Sequence, residues 1–184
     1  MNVALSALWL PILLSGLAVF FVSSLIWAVI GYHNSDWQKL PDEEAARSAL
    51  KGAAVGQYAL PHAADNAAKA DEAWQAKFRE GPAAMITIIP HGNLGMGKQL
   101  GQWFVYSLLI SVFVAYVAGA TLAPGADYLK VFQVTSTTAF LAHGGGAGMN
   151  MIWFGATPGR TAKDFLDALV YGLVTAGFFG WLWP

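Results

Sequence analysis

The chain contains no cysteine and few charged residues. It therefore has no disulfide, iron–sulfur cluster, thiolate zinc site or covalently attached c-type haem. Charged side chains make up 11% of the sequence and hydrophobic ones 56%, against about 25% and about 45–50% in ordinary soluble domains. So few charges cannot cover the surface of an independent soluble enzyme of 184 residues. The net charge of −1 also provides no basic field for nucleic acid.

Long apolar runs dominate what is present. A transmembrane helix needs about 20 mostly apolar residues, and four segments qualify: 4–32, 100–120, 131–154 and 165–183. The first lacks a basic leading segment and is about twice as long as the core of a signal peptide, which predicts an uncleaved helix. The sequence thus predicts an all-α membrane protein with four transmembrane helices in a bundle.

The basic residues predict the orientation of these helices. Nine of the ten fall in the two loops that would share one side: Lys39, Arg47, Lys51, Lys69, Lys77, Arg79, Lys98, Arg160 and Lys163. Only Lys130 falls on the other side. Because basic loops stay in the cytoplasm, we expect a multi-pass protein of the bacterial inner membrane. Residues 33–99 would be cytoplasmic and both termini periplasmic.

The cytoplasmic insert, residues 33–99, is predicted to be small and mainly helical. Capping and stop signals indicate helices over about 41–51 and 65–80. A β-branched run predicts a short extended stretch over 83–89. Because the insert contains few large apolar side chains, we expect it to pack on the membrane face, on a second copy or on a partner.

A glycine-rich segment just before the second predicted transmembrane span, Gly92–Lys98, has the GxxxxGK spacing of a phosphate loop. A true phosphate loop continues with Ser or Thr to hold Mg²⁺, whereas Gln99 follows here. The segment also leads into an apolar span and not into a helix on a parallel sheet. It is therefore interpreted as a juxtamembrane hinge, and no nucleotide is expected as a partner.

His143 is the most informative single residue. It lies near the middle of the third predicted span, and intramembrane ionisable groups are functional candidates by default. Ser136 and Asn150 lie seven residues to either side, which places all three on one helical face. This polar stripe predicts a proton relay, a polar permeation path or an axial haem or tetrapyrrole ligand. The alternative is a histidine that only joins helices. No cofactor is otherwise predicted.

Three other histidines, His33, His62 and His91, fall on the predicted cytoplasmic side. Together they would supply the nitrogen ligands of a metal site, but none has the spacing of a local site. The alternative is that they are surface or interface histidines. No catalytic residue is identified, because the spans contain no paired carboxylates and no HExxH or GxSxG motif is present.

Small residues recur at helical spacing in the last two predicted spans. They are Gly144, Gly148, Ala168, Gly172, Ala176 and Gly180. Such faces allow helix backbones to approach closely. The opposite face of the last span, with Phe165, Leu169, Leu173 and Phe179, is expected to meet lipid or a partner.

Several strings, WQKLPDEEA, GQYALPH, QLGQWFVY and the final GWLWP, occur along most of the chain. Together they resemble a family of small, uncharacterised bacterial inner-membrane proteins. The resemblance implies an inner-membrane location and brings no activity, cofactor or catalytic residue with it.

Three functions are open from the sequence, besides an enzyme of a kind that its motifs do not identify. The first is a non-catalytic accessory or structural subunit of a larger membrane assembly, with other membrane subunits or copies of itself as partners. The second is a small homo-oligomeric channel or transporter that uses the polar stripe. The third is a membrane subunit that binds haem or a tetrapyrrole through His143.

Overall fold

The computed structural model describes residues 2–92 and 95–184 and is mainly helical. Its chain forms two compact units: Met1–Gln38 with Gly95–Pro184, here called the bundle unit, and Lys39–Leu94, here called the insert unit. Asn93 and Leu94, in the middle of the GxxxxGK-like segment, lie outside the described residues.

The bundle unit begins with one long helical segment. A 3₁₀ turn at Leu5–Leu8 leads into α1, Trp9–Ser24, which widens into a π-helix over Leu25–Ile30. Gly31 ends the segment with φ of 64°, and a second 3₁₀ turn follows at Tyr32–Asp36. The left-handed backbone of Gly31 turns the chain so that the residues after it run back toward the bundle.

Four further helices complete the bundle unit. They are α5 (Gly97–Thr121), α6 (Tyr128–Gly144), α7 (Ala147–Phe154) and α8 (Pro158–Trp181). Helix α6 packs along α8, α1 packs on both α5 and α8, and α5 packs on α6. The third predicted span, 131–154, is thus covered by two helices, α6 and α7, with Gly145 and Gly146 between them.

The core of the bundle unit lies between these helices. Its main cluster includes Leu8, Val114, Val131 and Phe179, each fully buried. The expectation that Phe179 faces lipid or a partner is wrong, because this ring is 0% exposed in the core. Leu169 and Leu173, by contrast, are 46% and 45% exposed.

Two helical segments of the bundle unit are long and apolar enough to cross a membrane: Leu5–Ile30 and Gly97–Thr121. Helix α6 ends before it reaches that length, because the helix is interrupted at the glycines that follow His143. Helix α8 carries four charged residues in its first ten positions: Arg160, Lys163, Asp164 and Asp167.

The insert unit consists of three short helices and a hairpin. The helices are α2 (Glu43–Ala49), α3 (Asn66–Lys69) and α4 (Glu72–Glu80). The sequence predicts one helix over 65–80, whereas the structure has two, because Asp71 adopts an extended backbone and starts α4 anew. Strands β1 (Gly56–Leu60) and β2 (Ala84–Ile88) pair antiparallel, with Tyr58 opposite Ile86.

Candidate functional site

A buried carboxylate on α8 connects that helix to the turn after α1. Asp167, 5% exposed, accepts hydrogen bonds from the hydroxyl groups of Tyr32 and, at 3.4 Å, Tyr171. Its Oδ2 also lies 3.1 Å from Nε2 of His33, which is 2% exposed. The turn and α8 are thus joined by side chains more than 130 positions apart in sequence.

A second carboxylate lies on the other side of His33. Oδ2 of Asp36 is 2.8 Å from His33 Nδ1, and Oδ1 accepts a 2.6 Å hydrogen bond from Lys163 Nζ. The same ammonium donates to the Tyr32 carbonyl at 2.9 Å and to Ser35 Oγ at 2.7 Å. The hydrogen bond from Lys163 holds the pKa of Asp36 below its ordinary value, although burial of the carboxyl opposes the shift.

The His33 ring is therefore fully engaged. Both ring nitrogens face carboxylate oxygens, and the ring stacks on Trp27 with centroids 4.0 Å apart and planes within 2°. An imidazole can donate to two carboxylates at once only when both nitrogens carry a proton. We call Tyr32, His33, Asp36, Lys163 and Asp167 the clasp. Its hydrogen bonds and ion pairs are made within the chain, which fits a structural role.

Serine hydroxyls line the contact between α1 and α5. Ser15 Oγ donates to Ser111 Oγ at 3.1 Å, and Ser111 donates to the Ser107 carbonyl at 3.0 Å. Farther along, the indole Nε1 of Trp103 donates to Ser23 Oγ at 2.7 Å. Buried hydroxyls in an apolar contact need such partners, so these bonds fix the register of the two helices.

A cavity of about 580 Å³ opens at the end of the bundle unit where the clasp lies. Residues of α1 with its π-helical end, α5, α6, α7 and α8 line it. Its wall is mainly apolar and aromatic, with Trp27, Trp103, Tyr106 and Tyr171, and pockets of roughly 300–1,000 Å³ with a few polar groups are typical of small-molecule sites.

His143 lies in the wall of this cavity. Its ring is 5.2 Å from that of Tyr171, edge to face, and 6.3 Å from that of Trp103. Unlike His33, it makes no hydrogen bond to any residue within 2–92 and 95–184. Its ring nitrogens are therefore available to a molecule in the cavity.

The predicted polar stripe is divided by the structure. Asn150 shares the cavity with His143, whereas Ser136 is not among the described residues that line it. The Ser136 hydroxyl instead donates to the Gln133 carbonyl of its own helix at 3.3 Å. Of the three stripe residues, His143 and Asn150 thus lie together at the cavity and Ser136 does not.

The small residues lie mostly in contacts between α6 and α8. A Cβ added to Gly172 would be 3.0 Å from the Ser136 carbonyl oxygen, and one added to Gly144 would be 3.0 Å from Cβ of Ala168. A Cβ added to Gly180 would be closer still, 2.6 Å from the ring of Tyr128, and Ala176 is fully buried. Gly148 is different, because a Cβ there would meet nothing within 4 Å.

The other candidate histidines lie in different units. His33 belongs to the bundle unit and to the clasp, while His62 and His91 belong to the insert unit and are exposed. Within residues 2–92 and 95–184, no group of three or more His, Asp or Glu side chains is arranged to hold a metal ion. The metal hypothesis for the three histidines stays a prediction.

The clasp was not predicted from the sequence, although Asp167 falls within the last predicted span. One signal pointed to it: an acidic residue inside an otherwise apolar helix needs a partner. That signal does not identify the partner, because His33 lies 134 positions away.

Comparison with models of known protein families, with curated proteins and with solved structures finds no match for this chain. The resemblance to small bacterial inner-membrane proteins therefore stays a prediction, and the case for a function rests on the geometry.

Proposed function

We propose that the chain is a non-catalytic, multi-pass protein of the bacterial inner membrane that acts as an accessory subunit of a larger assembly. One observation carries the subunit role: no described residue of the insert unit, 39–92, is buried. A unit of that size without a core of its own is marginal alone. It gains stability by packing against something else.

Exposed apolar side chains support four spans over two. They occur on the two apolar helical segments and on α6 and α8 as well, where Leu129 is 69%, Leu141 61% and Leu166 51% exposed. Exposed leucines distributed over all these helices match a lipid surround better than water. In this proposal both termini are periplasmic and the insert unit is cytoplasmic.

The number of spans can be tested by cysteine labelling, because the chain has no cysteine of its own. Single cysteines replace Ser48, Ala123 and Gly159, all of which are exposed, and spheroplasts are treated with a membrane-impermeant maleimide. Four spans predict labelling of Ala123→Cys only, with Ser48→Cys and Gly159→Cys protected until the membrane is opened. If only α1 and α5 span, Gly159→Cys is labelled together with Ala123→Cys.

The hairpin of the insert unit offers the apolar surface for a partner. Residues opposite each other in an antiparallel pair share a face, so Tyr58 and Ile86 lie on the same face as Leu60. Tyr58 and Leu60 are 39% and 50% exposed. Gln57, on the opposite face of the same strand, provides a matched control position.

Native mass spectrometry of the tagged chain, extracted in mild detergent, tests the subunit role. We expect an additional, unlike polypeptide to remain bound, to be lost in Leu60→Asp and to be retained in Gln57→Asp. A mass equal to a whole multiple of the 19.6 kDa chain with nothing added would contradict the proposal. That result would favour the homo-oligomeric channel.

The cavity favours a second function, the binding of a small molecule next to His143. The supporting observation is the combination of an open cavity of about 580 Å³ with an imidazole that has no hydrogen-bond partner among the described residues. A haem or tetrapyrrole would give the purified protein a visible absorbance band that His143→Ala removes. The absence of that band in protein purified from its own membrane would exclude a resident tetrapyrrole.

A further inference from the structure

We infer that the His143 cavity binds a neutral, membrane-dissolved ring that carries carbonyl or hydroxyl oxygens, the chemistry of a quinone or quinol. This inference rests on the second function proposed above and names its ligand class. It does not depend on the accessory-subunit role.

The charges in the cavity wall favour a neutral ligand. Arg160 is the one cationic side chain among the described lining residues, and it already lies 3.9 Å from Asp164, which also lines the cavity. Asp167, engaged in the clasp, adds a second carboxylate. A ligand with two carboxylates, such as haem, or an anionic lipid headgroup would find no cationic side chain in the described wall that is not already paired with a carboxylate.

The polar groups of the wall suit a ligand with acceptor oxygens. In either protonation state an imidazole offers at least one N–H donor, and His143 has no partner among the described residues. The side-chain amides of Asn150 and Gln99 add further donors to the same wall. Carbonyl oxygens on a ring would satisfy groups that otherwise face only water or lipid.

The aromatic groups of the wall suit a planar ring. Trp103 and Tyr171 flank His143, and Tyr106 lies on the same side of α5 as Trp103, with ring centroids 5.7 Å apart. Aromatic pairs favour offset or edge-to-face packing at about 4.5–7 Å between centroids. A ligand ring that hydrogen-bonds to His143 would therefore lie within packing distance of these aromatic rings.

The edge of the cavity indicates that the ligand comes from the bilayer. Met96, Leu100 and Tyr106 line the cavity and are 65%, 42% and 47% exposed. These side chains are in or next to the first turns of α5, one of the two segments apolar enough to cross a membrane. A ring with an apolar tail can bind in the cavity while its tail remains against these residues and in lipid.

Glycines beside the cavity allow a matched pair of variants. Gly146 lines the cavity, has an ordinary helical φ of −82°, and a Cβ added there meets nothing within 4 Å. Gly146→Leu should therefore fold and take up part of the cavity. Gly148 has the same free space but is not among the described lining residues, so Gly148→Leu makes the same change outside the cavity.

The test measures, by equilibrium dialysis, how much of a probe binds to the full chain in nanodiscs of neutral lipid. Empty nanodiscs give the amount of probe that dissolves in the lipid alone, which is subtracted. The probe is menadione, and methylnaphthalene is the same ring system without oxygens. We expect saturable binding of one menadione per chain and none of methylnaphthalene. His143→Leu should weaken binding about tenfold, as loss of a hydrogen bond predicts, and Gly146→Leu should weaken it by reducing the volume open to the ligand. Gly148→Leu and the exposed His62→Leu should bind as the wild type does.

Equal binding of both probes, or unchanged menadione binding in Gly146→Leu, would overturn the inference. So would saturable binding of haemin, with a shifted Soret band that His143→Leu removes, in protein that does not bind menadione. That last result would leave the cavity as a ligand site and replace the ligand class. None of these three results bears on whether an unlike subunit copurifies.

Discussion

His33 Nε2 lies 3.1 Å from Asp167 Oδ2, although 134 positions separate the two residues in sequence. Both residues are almost completely buried, at 2% and 5% exposure. Through this contact the turn after α1 is fixed to the first half of α8. The same pair lies beside the cavity, because Asp167 lines it and Trp27, which stacks on His33, lines it too. The clasp therefore shapes the wall in which His143 lies.

Replacing Asp167 should destabilise the bundle unit more than replacing its neighbour Asp164. Asp167→Asn loses the charge that His33, Tyr32 and Tyr171 all face, and a buried group left poorly satisfied costs about 1–3 kcal/mol. Asp164→Asn removes only a half-exposed ion pair at 3.9 Å, worth at most about 1 kcal/mol. The midpoints of thermal unfolding of the two variants, monitored by circular dichroism in the same detergent, test this difference. Equal midpoints would show that the charge of Asp167 contributes no more stability than that of Asp164.

The contribution of Lys163 should depend on pH. The pKa of Asp36 is lowered from its ordinary value of 3.8, first by the hydrogen bond from Lys163. A carboxyl with a lowered pKa stabilises the fold above its ordinary pKa, and this stabilisation is lost as pH falls through the folded-state value. Lys163→Met should therefore have a lower Tm than the wild type at pH 7, and the difference should shrink below about pH 4.

Lys130→Met is the control for this prediction, because Lys130 makes no ion pair to any residue that the structure describes. Its Tm should follow that of the wild type across the same pH range. A constant Tm difference between Lys163→Met and the wild type from pH 7 to pH 3 would show that Asp36 is not the group through which Lys163 acts.

Local signals in the sequence predict the helical character of the chain well. The uncharged run over 4–32 and the apolar run over 100–120 correspond to the two helical segments able to cross a membrane. Asp65 and Asp42 accept hydrogen bonds from backbone amides at the starts of α3 and α2, as N-cap residues do. These features depend on a few neighbouring residues, so a sequence reveals them directly.

The clasp and the cavity could not be predicted in the same way. Both are made by residues from distant segments, and apolar periodicity does not specify which helix packs beside which. His143 could be identified as unusual within its span, but its contact with Trp103 and Tyr171 depends on α5 and α8. The division of the stripe depends on the break after Gly144, where α6 ends.

Two adjacent serines on α1 should differ in their contribution to stability. Ser23 and Ser24 both donate to the Phe20 carbonyl at 2.8 Å, but only Ser23 accepts the indole N–H of Trp103. Ser23→Ala should cost about 1–2 kcal/mol, because it leaves that half-buried donor without a partner. Ser24→Ala should cost less than about 0.5 kcal/mol. Chemical unfolding in mixed micelles measures both, and equal costs would exclude the Trp103 bond as a stabilising contact.

Two glycines of α8 should respond in opposite directions to the same substitution. At Gly172 an added Cβ would lie 3.0 Å from the Ser136 carbonyl oxygen and 3.3 Å from the backbone nitrogen of Phe140. Because backbone atoms of α6 cannot move aside without shifting that helix, Gly172→Ala should cost about 1–3 kcal/mol. At Gly177 an added Cβ meets nothing within 4 Å. Gly177→Ala should therefore gain up to about 1 kcal/mol from the higher helix propensity of alanine.

Thermal unfolding of the three proteins is measured side by side in the same detergent. The midpoint of Gly172→Ala should lie below that of the wild type, and the midpoint of Gly177→Ala should equal or exceed it. If Gly172→Ala is as stable as the wild type, α6 and α8 do not pack as closely as the Gly172 contact requires. The small residues of α8 would then be free to meet another subunit. The order of these midpoints therefore decides whether that face of α8 is used within the chain or between chains.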